Sequence, residues 1–222
     1  MLHYEPPLPS FNTGGEAEAA PGMLACLSKY DVDALRRYPD IFQPGEPVLV
    51  TEKIHGASAR YCFSQGRMWC GSRTEWKRYS EDNLWWRALA ATPALEAFCR
   101  DHPDWVVYGE VYGAVQSLRY GCKKNEVRFA AFDLLPLESG LFIAADLSRQ
   151  ILEEARVPCV PLLVAAPFDF EQVCSLAEGP SCMPGADHVR EGCVVKPLAE
   201  RWHQAIGRVI LKVVGAGYLE KG

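Results

Sequence analysis

No apolar run in this chain approaches the ~18 residues needed to cross a bilayer, and the Glu- and Pro-rich N-terminus lacks the basic and apolar blocks of a secretory leader. Neither a membrane span nor secretion is expected, and a cytoplasmic location follows. Basic charge is also scarce. The 23 lysines and arginines are outnumbered by 28 aspartates and glutamates, for a net charge of −5. That excludes a broadly basic glove around nucleic acid and confines any such contact to a local patch. Nine cysteines occur (positions 26, 62, 70, 99, 122, 159, 174, 182 and 193), yet none forms a C-x-x-C pair. Zinc ribbons and disulfide frameworks are thereby disfavoured, and reduced, mostly buried thiols are expected. No internal repeat is visible. What is present, 222 residues of which 49% are hydrophobic, suffices for one substantial core.

Residues 1–22 hold several prolines, a Gly-Gly pair and an acidic Ala/Glu run without apolar periodicity, which reads as a flexible N-terminal arm or linker ahead of a folded domain over residues 23–222. Asp31 is a candidate N-cap for a short helix that Pro39 ends. Strands are predicted over residues 48–52, 57–63 and 67–71, the last two joined by a turn at 64–66. Helices follow over 82–91 and, beyond Pro93, to about residue 100. Trp85 and Trp86 read as core side chains. The apolar runs 105–111 and 127–134 are strands of the buried kind. Helices over 145–156 and 170–177, then strands over 193–196 and 208–214, complete an α+β pattern.

Six short strings carry the chemistry: V-L-V-T-E-K-I-H-G (48–56), S-R-T (72–74), Y-G-E-V-Y-G (108–113), F-A-A-F-D-L (129–134), E-G-C-V-V-K-P (191–197) and V-I-L-K-V (209–213). Lys53 stands where a strand meets a glycine turn. An amine there can attack phosphorus only when unprotonated, which calls for a desolvated, cation-rich pocket. Glu110 ends an apolar strand between two glycines; a carboxylate is costly to bury alone, so a ribose hydroxyl or a hydrated metal is its expected partner. Glu191 and Lys196 are an odd number of residues apart and need not share a strand face. Residues 117–128 gather Arg119, Lys123, Lys124 and Arg128 around Tyr120, a candidate phosphate-contacting and base-stacking loop. Lys77 and Arg78 would extend that track.

In this order the strings resemble the covalent nucleotidyltransferases, and most closely the ATP-dependent RNA ligases of the RNA ligase 2-like, nick-sealing kind, from Ser28 to the C-terminus. The resemblance implies a two-sheet antiparallel, ATP-grasp-like nucleotidyltransferase catalytic domain. It implies Lys53 as the nucleophile that forms lysyl-AMP from ATP, with AMP passing to an RNA 5′-phosphate and a 3′-hydroxyl then expelling it, as in RNA repair. Glu52, Ile54 and His55 would surround the nucleotide, Arg73 would grip it, Phe132 would stack on adenine and Glu110 would contact ribose or metal-bound water. Glu110 and Glu191 would hold Mg2+ or Mn2+, and Lys196 would lie near the phosphates. Lys212 would neutralise the leaving pyrophosphate and depress the pKa of Lys53. RNA, met at Arg119, Lys123 and Lys124, is the implied partner of a monomeric protein.

Three departures stand out. His55 replaces the aspartate of the wider ligase and capping superfamily, as it does in RNA ligase 2-like enzymes, and this favours RNA over DNA. Val214 occupies the place of a second lysine, for which Arg208 or Lys196 could compensate. The chain also ends within about ten residues of Lys212, leaving no room for an OB fold or other clamp. A minimal ligase or the catalytic domain of a longer chain would both fit. The rivals are a DNA ligase or capping-type nucleotidyltransferase, and a non-catalytic RNA-end-binding module.

Overall fold

Apolar and polar residues alternate through much of the chain, and in the computed structural model, which describes residues 16–220, that alternation is spent on two sheets rather than one. The strands are β1 (Ala17–Glu18), β2 (Asp33–Ala34), β3 (Pro47–Lys53), β4 (Ala57–Ser64), β5 (Arg67–Gly71), β6 (Trp76–Lys77), β7 (Trp105–Gly113), β8 (Val127–Pro136), β9 (Leu162–Pro167), β10 (Gly192–Pro197), β11 (Trp202–His203), β12 (Gly207–Arg208) and β13 (Leu211–Val214). The helices are α1 (Gly22–Ala25), α2 (Leu84–Ala90), α3 (Pro93–Asp101), α4 (Ala145–Glu154), α5 (Phe170–Leu176) and α6 (Ala216–Leu219). The first sheet has the order β1-β6-β5-β4-β7-β8 and the second β2-β13-β10-β3-β9, with β11 and β12 forming a separate ribbon. All pairings between these strands are antiparallel except that of β13 with β2. This is the α+β, two-sheet antiparallel architecture that the resemblance implies.

Each sheet buries one face under helices. Ala57, Ala59 and Tyr61 of β4 pack with Leu89, Leu95, Phe98 and Leu152 from α2, α3 and α4. Val48 and Val50 of β3, Cys193 and Val195 of β10, and Leu211 and Val213 of β13 pack with Phe168 and with Val173 of α5. Because side chains alternate along a strand, the intervening residues face the opposite way, into the space between the sheets. There Leu49 and Thr51 of β3 line a small cavity with Ala131, Phe132 and Val160.

The K-I-H-G turn is the crossing point, since β3 belongs to the second sheet and β4 to the first. Gly56 makes the crossing possible. A Cβ there would lie 2.1 Å from the Val111 carbonyl oxygen, so the chain passes flush against β7 only without a side chain.

Three sequence expectations change. No α-helix forms between Asp31 and Pro39: residues 33–34 pair with β13, Leu35–Arg37 is a single 3-10 turn, and Asp31 is engaged with Arg73 rather than capping a helix. Pairing with a sheet edge satisfies more backbone than an isolated turn of helix would. The strand expected over residues 208–214 is two strands in different sheets, β12 and β13. Finally, β1 pairs with β6, the Glu16 carbonyl accepts from the Arg78 amide and α1 begins at Gly22, so residues 16–22 are part of the fold; the rest of the proposed arm, residues 1–15, lies outside the described residues.

Candidate active site

Cross-strand register assembles the site. β10 pairs Gly192 with Lys53 on one side and with Val214 on the other, and Val194 with Thr51 and Lys212. Lys53, Lys212 and Val214 therefore face the space between the sheets from neighbouring rows. A Cβ on Gly192 would meet the Val213 carbonyl oxygen at 2.0 Å, so Glu191, the residue before it, is set at the strand end beside Lys53. Both Glu191 oxygens lie 2.9 Å from Lys53 Nζ. His55 Nδ1 stands 3.4 Å from the same carboxylate and 3.3 Å from the Tyr218 hydroxyl. From the first sheet, Glu110 of β7, paired with Ser58 of β4, brings a second carboxylate within electrostatic reach of Lys53.

The electrostatics differ from the cation-rich pocket expected. Burial alone would lower the Lys53 pKa, but the Glu191 and Glu110 carboxylates outweigh it and raise the ammonium above the ordinary lysine range, with a smaller contribution from Tyr218. Lys53 is thus held protonated by acids. Glu191 in turn is depressed: burial opposes its charge, and Lys53 and His55 overcome that opposition. Glu110 goes the other way. Burial pushes its carboxyl up to about 8, more than Lys53 and the Gly56 amide can offset.

Glu52 and Ile54 flank Lys53 as expected but are already engaged. The Glu52 carboxylate accepts from Ser181 Oγ at 2.5 Å and from the Cys182 amide at 2.6 Å. Ile54 packs with Tyr112, Tyr120, Ala130, Val160 and Met183, and the Phe132 ring lies against the same cluster.

A search with family models matches the RNA ligase family over residues 46–214. The chain belongs to the RNA ligase family. Among solved structures, it resembles a mutant of the Naegleria gruberi RNA ligase with ATP and manganese at 26% identity, covering 98% of this chain and 64% of that one, with a TM-score of 0.79. An apo mutant of the same ligase gives 25% identity, 99% and 64% coverage and a TM-score of 0.79; a mutant with AMP and manganese gives 24%, 99%, 64% and 0.79 and bears on the fold alone. This chain spans under two thirds of the length of those proteins. Comparison with curated proteins gives no match.

Not every residue suggested by the RNA ligase strings gathers at Lys53. Arg73 lies on the turn after β5, exposed, 3.1 Å from Asp31. Lys196 is buried between Asp133, at 2.8 Å, and the Phe132 carbonyl, also at 2.8 Å. Arg208 grips Asp133 through both terminal nitrogens, at 2.8 and 3.1 Å, and pairs with Glu200, while Tyr30 donates to the same carboxylate. Neither Lys196 nor Arg208 is therefore free to replace the lysine missing at Val214. These cations hold the Asp133 carboxyl down to about 2 against the effect of burial.

The basic loop also needs correction. Tyr120 is fully buried, with its hydroxyl accepting from the His55 amide at 2.7 Å, and is no platform for a base. Arg128 pairs with Glu126, and Lys77 is buried against Glu75. Arg119, Lys123 and Lys124 remain exposed. Sequence reasoning missed Tyr218, whose only signal is an aromatic residue just after the last string, and missed Ser181, which carries none.

Proposed function

We propose that this chain is the adenylyltransferase domain of an ATP-dependent RNA ligase that joins an RNA 5′-phosphate to a 3′-hydroxyl, at nicks. The observation that carries the reading is the Lys53–Glu191 pair at the sheet crossing, with Glu110 facing it, inside a chain of the RNA ligase family. In this reading Lys53 Nζ attacks the α-phosphate of ATP, the Nζ–P bond forms as the bond to pyrophosphate breaks, and the ammonium must first give up its proton. The AMP then passes to the RNA 5′-phosphate and is displaced by the 3′-hydroxyl. ATP and manganese accompany the related Naegleria ligase mutant, which supports the same cofactors here.

The donor set suits a hard divalent cation. Glu110 and Glu191 offer carboxylate oxygens, and among the described residues no group of three or more His, Cys, Asp or Glu side chains could enclose a metal alone; phosphate oxygens and water would supply the remaining ligands, as Mg2+ and Mn2+ favour. When bound, the cation would neutralise the carboxylates that keep Lys53 protonated and offset charge on the phosphates. Ile54 and Phe132 would border the base, and Lys212, one row from Lys53, would face the triphosphate. Arg119, Lys123 and Lys124 are the proposed RNA contacts.

The test is incubation with α-labelled ATP and Mg2+ or Mn2+, followed by denaturing electrophoresis. An acid-labile labelled adduct is expected for wild type and none for Lys53→Ala or Lys53→Arg, because a guanidinium stays protonated. Label retained in either variant would remove Lys53 from the role.

A further inference from the structure

Arg60 of β4 is 4% exposed and has no hydrogen bond or ion pair among the described residues; its Nε is enclosed without an acceptor. A buried cation without a counter-charge is costly, and a buried polar group left unsatisfied calls for an explanation. The side chain lies across Gly71, where a Cβ would approach Nε to 3.0 Å, and its guanidinium carbon is 4.4 Å from the centre of the Trp76 ring. Gly71 and Trp76 bracket the turn of residues 72–75, closed by the Ser72 amide on the Glu75 carbonyl at 2.8 Å. That turn carries Arg73. Arg60 pairs with Tyr108 and Ser58 with Glu110, so Arg60 is one step along the same strand face from the row that holds Glu110. Among the described residues, Arg73 pairs with the exposed Asp31 alone. Such a pair is weak and exchangeable.

We propose that Arg60 is a phosphate-binding residue beneath the turn of residues 72–75, adding a second guanidinium to Arg73, the nucleotide-gripping arginine that the resemblance implies, and taking a phosphate group of ATP or of the polynucleotide. The choice of ligands rests on the RNA ligase reading. Guanidinium forks match phosphate oxygens in pairs. The Trp76 face pre-orients one fork, and Asp31 is the carboxylate that the phosphate would displace from the other.

The experiment compares wild type with Arg60→Met by thermal melting and by titration, using ATP in one arm and a nicked RNA duplex with a 5′-phosphate in the other. The variant without ligand should melt at or above the wild-type temperature, since an unpaired buried cation is gone, while its affinity for one ligand falls by about tenfold or more. Loss in the ATP arm assigns the site to the triphosphate, and loss in the RNA arm assigns it to the polynucleotide. Wild-type affinity for both ligands overturns the proposal. If Arg60→Met fails to fold, Arg60→Lys decides in the same way, because lysine keeps the charge and loses the fork. A wild-type protein that forms no labelled adduct, yet binds one ligand through Arg60, keeps the phosphate site and sinks the ligase reading.

Discussion

Glu191→Gln should move two properties of Lys53 in opposite directions. Unit charges 2.9 Å apart attract by about 6 kcal/mol at an effective dielectric constant near 20. The substitution removes the negative partner but leaves Glu110, so only part of that attraction is lost. Retaining a quarter of it as a change in the ammonium's stability corresponds to about 1.4 kcal/mol, or tenfold in the unprotonated fraction. The sign follows from the raised pKa: the carboxylates extend the ammonium form to higher pH, so removing one shifts deprotonation to lower pH. Labelling with trinitrobenzenesulfonate near pH 8, without ATP or metal, and reading Lys53 by mass spectrometry against the exposed Lys123 and Lys124, should therefore show a rise of about tenfold. Adduct formation from ATP should fall in the same variant, because a metal-binding carboxylate is gone. Unchanged or slower labelling of Lys53 would refute the idea that Glu191 holds it protonated.

Val214→Lys would place an ammonium in the row that Gly192 shares with Lys53; faster adduct formation at low ATP is expected in quench-flow measurements, and a loss would show that like-charge repulsion outweighs phosphate contact. In metal-free buffer, the Glu110 carboxyl at about 8 binds more protons folded than unfolded, so its contribution to stability is present at low pH and lost as pH rises through that value. Glu110→Gln should flatten the fall in stability between about pH 4.5 and 8 seen by urea denaturation. Asp133→Asn should cost about 3–5 kcal/mol, since it leaves two buried cations short of a counter-charge, measured by the same method. Because the Asp133 carboxyl sits near 2, its contribution is present above the usual aspartate range and lost as pH falls through about 2, and acid unfolding of the variant should lack that component.

Strands β4, β5, β7 and β8 were legible because alternation and long apolar runs mark them, and Lys53 was legible because a strand end, a lysine and a glycine turn coincide. β9 was not: its L-L-V-A-A-P residues are half exposed, as suits the edge strand it forms, and alternation is faint. The helix expected before Pro39 rested on local propensity, which pairing of residues 33–34 with β13 overrides. The charge on Lys53 was the deepest miss. Its partner Glu191 lies 138 residues along the chain, and no local pattern reveals that distant acids will crowd an amine. Tyr120 misled for a related reason, since basic neighbours suggested a surface while its hydroxyl was needed inside to hold the K-I-H-G crossing.

The two sheets are made from unequal kinds of sequence. β4 to β8 come from one continuous stretch, so most of the first sheet can form from hairpins between near neighbours. The second sheet must bring β3 to β9 and β10, across the whole of the first. Loop closure of that length is slow, and such contacts tend to come late in folding. The Lys53–Glu191 pair lies on this late seam. A nascent or partly melted chain could therefore carry a nearly complete first sheet with no reactive centre, and recovery of nucleotidyl transfer after refolding should lag behind recovery of tryptophan burial at Trp69 and Trp76.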